Sequence, residues 1–251
     1  MCTILLAYRV DEEWPIIIGN NRDEALSRTA LPPRVFSNGS RQRWIAPLDL
    51  ESGGSWWACN QAGLVICLTN RWIDKPADET KISRGHLVRD LIQAASLDEV
   101  RKLLSTINLQ AYNPFNLLVM GSQGAFLYTN FPRPYEIGLA AGFHFVGNGV
   151  LEEDKAIKSR MARGTFAHLC RDPVNAETMM AVFRQTLRTA LPQEHIPPQG
   201  FNVSLDEYGT TSSTILAVSG DSPPRLQLYF SPDNPLRRSY DDYSGLNLVM
   251  R

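Results

Sequence analysis

The chain has 251 residues, of which 43% are hydrophobic, and this is enough to bury the core of one domain over residues 1–251. Its formal net charge of -1 provides no basic face of the kind that nucleic acid or an anionic membrane requires, so we expect neither partner. Four cysteines without C-x-x-C spacing disfavour a disulfide scaffold and a metal site. The composition favours a reducing compartment, and we expect a cytoplasmic protein.

The first residues, MCTILLAYRV, do not resemble a secretory signal. No basic region precedes the apolar run ILLA, which is itself too short for the apolar part of a signal. No other stretch of the sequence approaches the roughly 20 apolar residues that span a bilayer. We therefore expect a soluble protein with no stable membrane insertion.

Strands and turns dominate the beginning of the chain. Short β-branched and aromatic runs predict two strands, at 3–10 and 14–20, joined by the turn DEE. A stretch rich in Pro, Ser and Arg at 27–44 predicts a loop. The segment 53–70 predicts a hairpin, because NQAG is a turn signal between two apolar runs.

Pairs of helices then alternate with groups of strands. Apolar residues three and four apart predict helices at 85–96 and 97–107, with Ser96 as the N-cap of the second. Short apolar runs predict strands at 115–122, 125–130 and 142–148. Two more helices are predicted at 151–171 and 175–190, the latter capped by Asn175, then strands at 212–219 and 225–230 and a surface tail.

This order of elements differs from the strict strand–helix alternation of a parallel fold. Helices that arrive in pairs between runs of adjacent strands suit two stacked antiparallel sheets with a helical layer outside each. The sequence therefore predicts an α+β fold, a four-layer αββα sandwich.

Cys2 is either a small core residue or a nucleophile. Free cysteine is among the most buried residue types, which favours simple packing. If Met1 is removed, however, Cys2 carries a thiol and an α-amine on one residue, and the amine can act as a base for the thiol. A strand that begins at Thr3 would hold this pair in a fixed position.

The segment GNNRDEALSR, predicted to be a loop after the second strand, concentrates amides and charges. Arg22 and Asp23 could form a structural ion pair while Asn20 and Asn21 turn the chain. Alternatively, the hairpin brings Asp23 beside the amine or thiol of Cys2, because it returns the end of its second strand to the start of its first. Arg22 would then favour the thiolate or an anionic group of a substrate.

Several motifs in this order resemble the NRDE family, whose animal members are called transport and Golgi organisation proteins. They are Met-Cys at the start, NRDE at 21–24, GGSW at 53–56, YNPFNLL at 112–118, GN at 147–148 and YGTTSST at 208–214. The resemblance covers most of the chain. It implies an N-terminal nucleophile (Ntn) hydrolase fold, similar to bile salt hydrolases and penicillin V acylases.

The resemblance also implies roles for individual residues. Cys2 matches the nucleophile that attacks an amide carbonyl, and Asp23 matches the aspartate that holds its free amine. Asn70 and Asn148 match two asparagines of the oxyanion hole, where a side-chain N–H contributes roughly 3 to 4 kcal/mol. With Arg22 as a further orienting group, this gives an amidohydrolase acting on an amide or thioester of a small or lipid-like molecule, with no cofactor required.

The chain departs from the hydrolase pattern at two places. The hydrolases carry an arginine two positions before the aspartate, where this chain has Asn20 and Asn21 and places its arginine next door, at Arg22. Relatives often have an arginine after YGT, where this chain has Thr211. Both changes remove positive charge that would lower the pKa of the thiol.

An alternative function for the same scaffold is non-catalytic binding or trafficking of haem or an acyl lipid, which the family resemblance implies. The chain has no C-x-x-C-H attachment motif. Haem contact would therefore be transient and largely apolar, in a pocket lined by tryptophans, although these residues are also typical of a core. The possible ligands are Cys2, His86, His144, His168 and His195.

Overall fold

The structure is a computed structural model that describes residues 2–37, 39, 42–149, 157–171, 173–191, 200–246 and 248. The chain divides into two compact units. The first comprises Met1–Arg28, Ala141–Ser219 and Leu226–Ser244. The second comprises Thr29–Ala140, Gly220–Arg225 and Gly245–Arg251.

The described residues form strands and helices in the following order along the chain. The elements are β1 (Cys2–Tyr8), β2 (Ile16–Ala25), β3 (Ala30–Ser37), β4 (Arg43–Asp49), β5 (Trp57–Asn60), β6 (Val65–Asn70), α1 (Gly85–Leu91), α2 (Leu97–Thr106), a 3₁₀ turn (Leu109–Ala111), β7 (Phe115–Gly121), β8 (Gly124–Thr129), β9 (Tyr135–Gly138), β10 (Gly142–Val146), α3 (Ile157–Leu169), α4 (Ala176–Leu187), β11 (Tyr208–Val218), β12 (Leu226–Ser231) and β13 (Asp241–Asp242). None of the helices in this described part has the length and apolar character needed to cross a membrane.

The first unit contains an antiparallel sheet in the order β10-β1-β2-β11-β12-β13. The side chains of alternate residues share one face of each strand. One face of the central strands carries Leu5, Ile17 and Ile215, which form a buried cluster with residues of α3 and α4. Cys2 and Ile4 therefore belong to the other face.

Two predictions about this unit need correction. The polar segment 20–25 is not a loop, because β2 continues to Ala25 and pairs with β11 as far as Tyr208. Its asparagines and charged residues lie in a central strand, where side-chain hydrogen bonds compensate their burial. The end of the chain is not only a surface tail, since Asp241–Asp242 pairs with β12 and Asn234 is buried.

The second unit contains the other antiparallel sheet, in the order β3-β4-β5-β6-β7-β8-β9. The stretch at 27–44, predicted to be a loop, contributes β3 and the start of β4. Pro32 and Pro33 misled the prediction, but β3 is an edge strand with a register shift between Leu31 and Arg34. An edge strand tolerates prolines because one side of its backbone has no neighbouring strand to pair with.

Other sequence predictions are confirmed by local contacts. The hairpin β5–β6 forms, with Ala58 opposite Ile66. The side chain of Ser96 accepts a hydrogen bond from the backbone N–H of Glu99 and caps α2, and Asn175 caps α4 in the same way through Thr178. The predicted helix at 151–171 is observed from Ile157, and its first six residues lie outside the described part of the chain.

The GGSW motif has a packing function in the second unit. A Cβ atom at Gly54 would lie 2.7 Å from the backbone of Gly85, and the N–H of Ser55 donates to the carbonyl of Gly85 at 3.1 Å. The segment just before β5 and the start of α1 can therefore approach this closely only because Gly54 and Gly85 have no side chains. Gly53 adopts a positive φ of 68°, which favours glycine.

We expect Gly54→Ala to lower the free energy of unfolding by about 2 kcal/mol, because overpacking a tight contact forces the backbone to shift. Gly138→Ala is a matched control, because a Cβ at Gly138 meets no atom within 4 Å in the described structure. Urea denaturation of both variants measures the difference. Equal midpoints for the two variants would show that the contact at Gly54 relaxes without cost.

Candidate active site

Cys2 is the first residue of β1 and is 8% exposed. The antiparallel register places it opposite Arg22, and Thr3 opposite Asn21. Residues opposite one another in an antiparallel pair have their side chains on the same face, so Cys2 and Arg22 share a face of the sheet. The hairpin thus brings the start of β1 to the charged end of β2, as the sequence predicted.

The environment of Cys2 favours a protonated thiol. Burial raises the pKa of the thiol, and the Asp23 carboxylate raises it further, whereas the guanidinium of Arg22 lowers it. The net direction is upward. A nucleophilic role at neutral pH therefore requires a base that takes the proton as the thiol reacts.

Asp23 is buried and is held from several sides. Its Oδ1 accepts a hydrogen bond of 2.7 Å from the hydroxyl of Thr210, and its backbone carbonyl accepts one of 2.7 Å from the hydroxyl of Tyr208. The N–H of Val203 donates to the Thr210 oxygen at 2.9 Å, which leaves the Thr210 proton directed at Asp23. The carboxylate therefore has a fixed orientation.

Lys158 of α3 is a charged neighbour of this site that the sequence analysis missed. Its Nζ lies 3.6 Å from Asp23 Oδ2 and 3.3 Å from Thr3 Oγ1. The side chain is only 12% exposed. Lys158 has no motif of its own in the sequence, and helical periodicity does not tell which strand end a helix will contact.

The side chain of Arg22 is buried against the first residues of β11. Its Nη1 donates to Thr211 Oγ1 at 2.9 Å and to the carbonyl of Arg28 at 3.4 Å. Thr211 is one of the two departures from the hydrolase pattern. It is thus a direct hydrogen-bond partner of Arg22, which lies on the neighbouring strand. This contact fixes Arg22 on the Cys2 face of the strand.

Asn20 and Asn21 join elements together and do not turn the chain. Asn20 donates to the carbonyl of Thr3 at 3.0 Å across the β1–β2 pair. Asn21 donates to the carbonyls of Leu187 and Phe201 at 2.8 and 2.9 Å, and so satisfies a carbonyl at the end of α4. Both side chains are fully buried.

The two predicted oxyanion residues occupy different units. Asn148 follows β10, whose register places Val146 opposite Ile4. If this register continued past the end of β10, Asn148 would lie level with Cys2, and its side chain is half-buried. Asn70 is the last residue of β6 in the second unit, is also half-buried, and pairs with Phe115 of β7.

The candidate haem ligands are distributed over the fold. His86 is in α1, where its Nε2 donates to the carbonyl of Ser52 at 2.6 Å. His144 is in β10 and His168 is in the last turn of α3. His195 lies outside the described residues. Among the residues that the structure does describe, no three His, Cys, Asp or Glu side chains form a group that could hold a metal ion.

Comparisons with known proteins agree with the family and fold expected from the sequence. The family model described as Transport and Golgi organisation 2 matches residues 1–226. No curated protein sequence matches the chain.

Solved structures with the same fold include two hydrolases. The Caenorhabditis elegans ortholog of N-acylethanolamine-hydrolyzing acid amidase is 15% identical, with a TM-score of 0.59 over 89% of this chain and 93% of that one. A cysteine-to-alanine mutant of the conjugated bile acid hydrolase from Clostridium perfringens is 12% identical, with a TM-score of 0.58 over 99% and 94%. The prediction of an α+β, Ntn-hydrolase-like fold is therefore confirmed.

Proposed function

We propose that this chain, which belongs to the Transport and Golgi organisation 2 family, is an Ntn-type cysteine hydrolase that cleaves an amide or thioester bond of a small or lipid-like molecule. One observation carries the proposal. Cys2 begins a buried strand, opposite Arg22 and one residue from the level of Asp23, whose carboxylate is held in a fixed orientation. The hydrolase-like scaffold adds support, because two proteins that share it are named as hydrolases of this general kind.

In the proposed reaction, the Sγ of Cys2 attacks the carbonyl carbon of the substrate while its proton passes to the α-amine left by removal of Met1. The tetrahedral intermediate collapses, the C–N or C–S bond breaks, and the leaving group takes that proton. Water then hydrolyses the acyl-cysteine thioester and regenerates the thiol.

The other residues have supporting roles in this scheme. Asp23 orients the α-amine, and Arg22 contributes positive charge on the Cys2 face of the sheet. Asn148 is proposed as a donor to the developing oxyanion, since it stands two residues after Val146, which pairs with Ile4, and Cys2 stands two residues before Ile4. The same role for Asn70 rests on the family resemblance alone.

Intact-mass measurement of the untagged protein tests the first requirement of this scheme. We expect a species lighter than the full sequence by one methionine, because the small side chain of Cys2 permits removal of Met1. That species is then assayed with a fatty-acyl ethanolamide, a conjugated bile acid and an acyl thioester, and release of the free acid is measured.

Retention of Met1 would contradict the proposal, because the base would then be an amide nitrogen. Binding of haem or an acyl lipid by the same protein, measured by absorbance titration and calorimetry, would instead support the non-catalytic function that the resemblance also implies.

A further inference from the structure

The ammonium group of Lys158 lies close to Asp23, the carboxylate that is proposed to orient the amine of Cys2. Its Nζ lies 3.6 Å from Asp23 Oδ2. The carboxylate is fully buried and the lysine side chain is 12% exposed, so water screens this pair weakly. No motif predicts this pair, and the NRDE resemblance does not include it.

The same lysine also contacts the residue that follows Cys2 in β1. Its Nζ also lies 3.3 Å from the hydroxyl of Thr3, the next residue of β1. Because Cys2 is opposite Arg22 in an antiparallel pair, the backbone nitrogen of Cys2 is directed along β1 to the level of Asp23. A free α-amine on Cys2 would therefore lie beside the Asp23–Lys158 pair.

The charge of this pair determines whether the amine can act as a base. A carboxylate alone beside an α-amine favours the ammonium form and raises the pKa of the amine above its usual value of about 7.7 to 8.0. An ammonium cannot take the proton of the thiol. A lysine beside the carboxylate offsets this effect, because the amine then faces a pair with no net charge.

We propose that Lys158 is a positioning residue whose positive charge offsets the negative charge of Asp23. The α-amine of Cys2 then stays unprotonated at neutral pH and can take the proton of the thiol. This inference rests on the proposed function. It assigns a role in the same site to a residue of α3, outside all of the motifs that indicated the site.

Other charged and titratable groups that influence this site lie on β2 and β11. Arg22 acts on the amine in the same direction as Lys158, and Glu24 acts in the opposite direction, but Glu24 also forms an ion pair of 4.0 Å with Arg28. Burial raises the pKa of Tyr208, and Asp23 and Cys2 raise it further, so this phenol is neutral at ordinary pH. Lys158 differs from these groups in its position on α3, from which it forms an ion pair with Asp23.

Condensation of Cys2 with formaldehyde provides a direct test that needs no substrate. The neutral amine and the thiol sulfur both bond to the aldehyde carbon, one water leaves, and a thiazolidine forms. Its rate is measured by intact mass as a function of pH in the wild-type protein and in Lys158→Met and Lys158→Arg. Thermal unfolding of each variant verifies that it is folded.

We expect the midpoint of the pH dependence to rise by about one pH unit in Lys158→Met and to stay at the wild-type value in Lys158→Arg. A purely structural lysine would not produce this difference. Should Lys158→Met fail to fold, Lys158→Gln, which is polar and can still contact Thr3, serves in its place with the same expectation.

The outcomes separate this inference from the proposed function. An unchanged midpoint in the folded Met or Gln variant overturns the role of Lys158 and leaves the proposed hydrolase intact. No condensation in the wild-type protein, together with a mass that retains Met1, overturns the proposed function and this inference with it.

Discussion

We expect Cys2→Ala to lower turnover of any acyl substrate by at least about a thousandfold, because removing a catalytic nucleophile leaves only the contribution of binding and oxyanion contacts. The fold should remain intact. Alanine retains the Cβ, the residue stands at the very start of β1, and the pairing of Thr3 with Asn21 does not depend on the thiol. Steady-state rates and thermal unfolding of the same preparation measure the two effects together.

The matched control for this experiment is Cys170→Ala. Cys170 is an exposed free cysteine just after α3, and it should be replaceable without loss of activity. If the Cys2 variant kept full turnover, its thiol would not be the nucleophile. If both variants lost activity equally, a general sensitivity to the loss of thiols would explain the result better than covalent catalysis.

Much of this geometry could be predicted because it is local in the sequence. The turn between β1 and β2 brings the two strands together, and hairpin pairing then puts Arg22 opposite Cys2 and Asp23 one residue further along. The N-caps Ser96 and Asn175 follow equally local rules. Predictions of this kind need only the order and lengths of neighbouring elements.

The contacts that the sequence could not reveal join elements far apart in the chain. Lys158 meets Asp23 across 135 residues because α3 packs against the sheet, and its own helix gives no sign of that neighbour. The extension of β2 was missed for a related reason. A polar segment is predicted to be a loop unless its partners are known, and the partners of Asn21 are carbonyls of Leu187 and Phe201.

The NRDE motif is best understood as a strand whose two faces have different functions. Asn21 and Asp23 contact α4 and α3 respectively, on the face covered by helices. Arg22, between them, is on the face of Cys2. The alternation of a strand thus explains why the motif combines an amide and a carboxylate that contact helices with an arginine on the face of the thiol.

The charge of Asp23 should matter greatly for stability. We expect Asp23→Asn to lower the free energy of unfolding by about 3 kcal/mol, because it leaves the mostly buried Lys158 without its ion-pair partner. Asparagine keeps an oxygen that can accept the hydrogen bond from Thr210, so the change isolates the charge. Urea denaturation of wild type and variant at neutral pH measures the difference.

An exposed aspartate of the second unit gives the appropriate control. Asp98 forms an ion pair of 2.9 Å with Arg101, but its side chain is 91% exposed. Asp98→Asn should therefore cost less than about 1 kcal/mol. A cost at Asp23 no larger than at Asp98 would contradict the view that burial makes the Asp23 charge important.

A double-mutant cycle shows whether Asp23→Asn destabilises the protein by breaking the ion pair with Lys158 or by removing a carboxylate that stabilises the fold independently of Lys158. If Lys158 is destabilising only when Asp23 is neutral, the double variant with Asp23→Asn and Lys158→Met should be more stable than Asp23→Asn alone, because neither charge is then buried without a partner. Additive losses would instead mean that the two residues stabilise the fold independently. In that case the interaction energy between the two side chains would be small despite their 3.6 Å contact, and Lys158 could not change the pKa of the Cys2 α-amine through Asp23.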